Sequence, residues 1–129
     1  KGMERKPWFD SHQNPKHPLL VAIQEDTVVG YATLSEYRGG RPAVQYTVEI
    51  SYYIHQEHQR KGLGTLLLQH AIKTAKQLGF KHGLALLLDT NLASVRLLEK
   101  YGFVKWGHFP NIAIVKGVTC GQYFYGKHF

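Results

Sequence analysis

Residues Thr47–Thr65 read TVEISYYIHQEHQRKGLGT, and the hydrophobic pattern of this stretch changes period once, at its glycines. In the first eight residues Val48, Ile50, Tyr52 and Ile54 fall on one face, and Thr47, Glu49, Ser51 and Tyr53 on the other. Such alternation, rich in β-branched and aromatic residues, predicts a half-buried strand. A basic turn follows, with Arg60, Lys61, Gly62 and Gly64. From Leu63 onward the apolar residues Leu63, Leu66, Leu67, Ala71, Ala75 and Leu78 recur at helical spacing. The unit is strand, glycine turn, helix. The first backbone N–H groups of a helix have no intrahelical partner and carry the positive end of its dipole. An anion, phosphate above all, fits there.

Upstream, Leu19–Gln24 and Val28–Tyr37 read as strands joined by Glu25-Asp26-Thr27, a hairpin spacing with turn-tolerant residues. The central strand is expected over Ala43–Ile54, after the loop Arg38–Pro42. Trp8 and Phe9 suggest a short helix or turn docked on the core, within an otherwise irregular Lys1–Pro18. Downstream, the helix is expected over Gly62–Leu78, with Gly79 as its stop. Gly83–Asp89, GLALLLD, is an unbroken apolar run, as in a strand buried on both faces. Asn91–Tyr101 has a capping start and ends at Gly102, so it predicts a short helix. Phe103–His108 and Gln122–Phe129 read as closing strands with a glycine-punctuated segment between them. The order is β-β-β-α-β-α-β-β around one sheet, an α/β fold in a single domain spanning residues 1–129.

Composition narrows the function classes. The 43% hydrophobic and 19% charged content is ordinary for a folded globular chain of 129 residues. One cysteine, Cys120, excludes an intramolecular disulfide and suits a reducing compartment, the cytoplasm. No apolar run approaches the ~20 residues of a membrane helix, and no signal peptide is visible. A net charge of +7 favours anionic partners, phosphorylated cofactors included. His55-Gln56-Glu57-His58 is not the HExxH arrangement, so no metal is expected. The aromatic and basic run Tyr123–Phe129 reads as a strand rather than a nucleic-acid platform, so neither nucleic acid nor membrane is an expected partner.

Gln59-Arg60-Lys61-Gly62-Leu63-Gly64 fits the pattern [QR]-x-x-G-x-[GA]. It is followed at a fitting distance by Asp89-Thr90-Asn91-Leu92-Ala93-Ser94 and by Glu99-Lys100-Tyr101-Gly102-Phe103. Together these blocks resemble the GCN5-related N-acetyltransferases. Thr47–His55 and Gly30–Ala43 resemble the phosphinothricin acetyltransferase branch in particular. Rival nucleotide motifs fail: Leu67 stands where a dinucleotide fold needs its third glycine, and no Gly-Lys-Ser/Thr follows the loop.

The resemblance implies the acyl-CoA N-acyltransferase fold, a mixed, mostly antiparallel sheet flanked by helices. The family's usual first strand and helix are not evident before Trp8. It also implies acetyl-CoA as cosubstrate and a small amino-acid-like amine as acceptor, with a protein or peptide amine as the alternative and a possible homodimer. Arg60, Lys61, Gly62, Leu63, Gly64 and Thr65 match the pyrophosphate loop. Tyr52, Tyr53 and Ile54 match the segment whose backbone pairs with pantetheine, the N–H near Ile54 also polarising the thioester carbonyl. Asn91 matches a CoA contact and also reads as a helix N-cap. Glu49 matches the general base that takes the proton from the attacking amine. One position departs. Leu98 stands where relatives carry His or Tyr as acid for the leaving thiolate, which opens a different reading: a non-catalytic CoA sensor or interaction domain on the same fold.

Overall fold

The computed structural model describes residues 17–59 and 62–129. The Trp8–Phe9 expectation and the side chains of Arg60 and Lys61 lie outside the described residues. Within them, β1 (Leu19–Gln24), β2 (Thr27–Glu36), β3 (Thr47–Ile54), α1 (Leu63–Gln77), β4 (His82–Leu88), α2 (Leu92–Lys100), β5 (Val104–Val115) and β6 (Val118–His128) follow the expected order. They form one six-stranded sheet in the order β1-β2-β3-β4-β6-β5. Only the β3–β4 pair is parallel.

The β1–β2 turn is a two-residue loop with Glu25 and Asp26 both at positive φ, 50° and 65°. That matches the twist of the flanking strands. β3 starts at Thr47 rather than Ala43, because Pro42–Val44 coils into a 3-10 turn. Proline fixes its own φ and suits the first position of such a turn. Along β3 the burial follows the alternation: Val48 and Ile50 are buried, Ser51 and Tyr53 exposed.

α1 buries Leu63, Leu67, Leu68, Ala71 and Ala75. With α2's Leu98 they join Ala32, Leu34, Val48, Ile50, Ala85 and Tyr125 in one core cluster. Each leucine so buried contributes about 1.5–3 kcal/mol. Both helices stop the same way. Gly79 and Gly102 take φ of 93° and 87°, and their N–H groups donate to Lys76 O and Glu99 O, each at 3.1 Å. The next residue, Phe80 or Phe103, donates back to Ala75 O or Leu98 O at 3.0 Å and buries its ring. This left-handed cap with its apolar contact is why each helix is followed by Gly-Phe. Tyr125 O–H donates to Glu99 Oε2 at 2.9 Å, tying α2 to β6. Burial, and then the Glu99 carboxylate, push the Tyr125 phenol up to about 12.

The closing hairpin differs from expectation. β5 and β6 run through the supposed glycine-punctuated segment and turn only at Lys116-Gly117, both at positive φ. A register shift between Phe109 and Ala113, with Asn111 at φ 54°, absorbs Pro110 and leaves the ladder intact on either side. β5 is an outer strand, and it exposes Trp106, Phe109, Ile112 and Ile114.

Candidate active site

β3 and β4 pair only at Thr47–His82, Val48–Gly83 and Glu49–Leu84. Past Glu49 they part, since β3 stays on β2 as far as Ile54 while β4 stays on β6 as far as Leu88. The fork holds a cavity of about 150 Å3 lined by Ile50, Ser51, Tyr52, Leu86–Leu88 and, from α2, Ser94 and Leu98. This explains why the apolar run of β4 is buried at Gly83–Ala85 but only half-buried at Leu86–Leu88. Its second neighbour has gone.

Backbone groups of β3 open into that fork. His55 N–H donates to Val29 O on β2 at 2.8 Å. Successive residues of a strand aim these groups at opposite edges, so Tyr52 and Ile54 turn theirs toward the gap. Ile54 O is taken there by Gln59 Nε2 at 3.1 Å, which ties the turn to the strand end.

A wider cleft of about 370 Å3 continues past Tyr52, Tyr53 and Ile54 to Gly62, Gly64 and Thr65 at the start of α1. Gly62 caps α1 with φ 81°, a left-handed conformation that disfavours any side chain. The first bond into the helix is Leu66 N–H to Gly62 O at 3.1 Å. Among the described residues nothing accepts from the N–H groups of Leu63, Gly64 or Thr65, and the first turn holds no acidic residue. The Leu63 side chain itself is buried in the core. Only its backbone is available to a ligand.

The opposite wall is the start of α2, with Asn91, Ala93, Ser94 and Leu97. Asn91 Oδ1 accepts from Ser94 N–H at 3.2 Å, so the capping reading holds while the residue also lines the cleft. Ala93 and Ser94, which the motif contains without a role of their own, and Leu97 line the cleft because their spacing places them on one helix face next to Asn91.

Three further side chains bear on chemistry. Glu49 sits at the last paired position before the fork, half-buried on the sheet face opposite Val48 and Ile50, and it lines neither cavity. Among the described residues the Tyr52 hydroxyl is buried with no hydrogen-bond partner. Desolvation raises its pKa, and the adjacent Ser94 side chain opposes this without reaching hydrogen-bond geometry. Leu98 is 1% exposed and closes the inner end of the fork cavity.

A pairing absent from the sequence reading is Asp89 Oδ2 with His108 Nε2 at 3.0 Å. The His108 hydrogen bond, and then the Gly121 backbone, hold the Asp89 carboxyl below its ordinary value. It pins the end of β4, just ahead of Asn91, to β5.

Residues 1–103 match the family model described as the acetyltransferase (GNAT) family. Among curated relatives, YwnH of Bacillus subtilis (strain 168), provisionally named a phosphinothricin acetyltransferase, is 40% identical over 88% of this chain and 69% of its own. The L-methionine sulfoximine/L-methionine sulfone acetyltransferase of Salmonella typhimurium (strain LT2) is 34% identical over 88% of this chain and 66% of its own. The chain thus spans about two thirds of the length of these relatives. The crystal structure of a GNAT superfamily phosphinothricin acetyltransferase from Sinorhizobium meliloti in complex with AcCoA superposes with a TM-score of 0.84. It is 28% identical, over 89% of this chain and 62% of that one. Motif, fork, helix start and relatives agree, and the chain belongs to the GNAT acetyltransferase family.

Proposed function

We propose that the chain moves acetyl from acetyl-CoA to the primary amine of a small amino-acid-like acceptor, by direct attack of the amine on the thioester. The observation that carries this reading is the fork. An extended arm can add to β3 as a strand through the Tyr52 and Ile54 backbone, while a diphosphate meets the amides at Gly62–Thr65, which have no acceptor among the described residues. Arg60 and Lys61 are assigned to the same diphosphate by their charge. Asn91, and beside it Ser94, would meet the arm from α2. Glu49, across the sheet from the core and next to the fork, takes the amine proton directly or through water. The acceptor class follows the curated relatives above, whose names specify phosphinothricin, methionine sulfoximine or methionine sulfone. The +7 charge of this chain disfavours a basic peptide acceptor.

Leu98 favours a second reading, a CoA-binding sensor without turnover. Calorimetry with acetyl-CoA and a thiol-release assay over a panel of amino-acid-like amines separate the two. We expect micromolar binding and CoA release with at least one such amine. Binding without release on any amine would leave the sensor standing. No binding would remove both.

A homodimer belongs to the same reading, because the exposed apolar residues of the β5 edge invite pairing with a second copy. Light scattering is expected to give twice the 14.7 kDa chain mass. A monomer at tens of micromolar would remove it.

A further inference from the structure

Among the described residues, the Tyr52 hydroxyl is the one buried side-chain hydroxyl with no hydrogen-bond partner. Tyr52 also lines both the fork cavity and the wider cleft. Its alternation along β3 sends the ring to the helix side of the sheet, beside Ser94. Leu98 lies one helical turn beyond Ser94, against the same cavity, and has no proton to give. A buried donor left without an acceptor is a cost to the fold, and such exceptions mark places where a ligand completes the bonding.

We propose that the Tyr52 hydroxyl donates a hydrogen bond to the sulfur of the departing CoA, the task Leu98 cannot perform. The inference rests on the acetyl transfer proposed above. In that step the acceptor nitrogen forms a C–N bond to the acetyl carbon. The C–S bond then breaks and its electron pair goes to sulfur. The amine proton goes to Glu49. Tyr52 O–H stabilises the new thiolate and keeps its own proton, and the thiolate takes one from solvent as CoA leaves. Burial keeps the phenol protonated at working pH, so it acts as a donor throughout.

Tyr52→Phe removes one oxygen and keeps the ring. It is expected to lower kcat about 100-fold, as loss of one preorganised donor to developing charge does, with KM for acetyl-CoA changed less than ~2-fold. A second readout needs no turnover: the pKa of the thiol of bound CoA, followed by the ultraviolet absorbance of the thiolate. The native protein should depress it by about 1 unit relative to the variant, a tenfold shift in ionisation. A purely structural tyrosine would alter the melting temperature and leave that pKa unmoved. If the native protein turns over and the variant matches it in kcat and in bound-thiol pKa, this assignment falls alone. If the native protein neither binds CoA nor releases thiol, the acetyl-transfer reading falls as well.

Discussion

Glu49→Gln is expected to lower kcat/KM at pH 7 by about 10²–10³-fold with folding intact, the usual loss when a general base is removed. The acceptor must reach the thioester as a free amine, and at neutral pH an aliphatic amine is mostly protonated. Gln is close in size and still accepts a hydrogen bond, so the half-buried site beside Ser35 and Leu84 is not disturbed. What it cannot do is take a proton. The sign with pH follows. As pH rises toward the pKa of the acceptor, solvent deprotonates the amine unaided and the defect should shrink. A pH–rate series on both proteins checks this. Full activity of the variant from pH 6 to 9 would take the role away from Glu49.

Gly64→Asp is expected to abolish acetyl-CoA binding, weakening it at least 100-fold, while leaving the melting temperature unchanged or slightly raised. The two effects have opposite signs because they use the same field. A carboxylate in the first turn of α1 is favourable to the helix by about 0.3–1 kcal/mol, yet it occupies the place of the diphosphate and repels it. Space permits the substitution. A Cβ at Gly64 would meet only the end of Leu97, at 3.3 Å. Gly64→Ala is the control, and should keep most of the affinity. If calorimetry found the Asp variant binding acetyl-CoA like the native protein, the diphosphate would have to sit elsewhere.

Much of this was legible in the sequence because it depends on local periodicity. The two faces of β3 follow from Val48, Ile50 and Tyr52 alternating with Glu49, Ser51 and Tyr53. Both helix ends follow from Gly79 and Gly102, residues that permit the left-handed cap. The full length of the β5–β6 hairpin was not, since the glycine-punctuated segment between His108 and Gln122 read as a break. In the structure the chain turns only at Lys116-Gly117, and a bulge takes up Pro110. The fork was only half legible. GLALLLD shows a buried strand, but the loss of its second neighbour at Leu86–Leu88 depends on how far two distant segments stay in register. The face of α2 that lines the cleft was present in the spacing of Asn91, Ala93, Ser94 and Leu97, yet nothing local says which face meets a cavity. The unpartnered hydroxyl of Tyr52 was invisible. It exists only because α2 packs over β3 and brings Ser94 beside the ring without making a hydrogen bond to it.

A crystal structure of the chain soaked with acetyl-CoA places the whole reading at risk in one step. The diphosphate should lie on the amides of Gly62, Gly64 and Thr65, and the pantetheine arm should run between β3 and β4, bonded to the backbone of Tyr52 and Ile54. Acetyl-CoA bound on any other face, with the β3–β4 gap filled by the chain's own side chains, would contradict it.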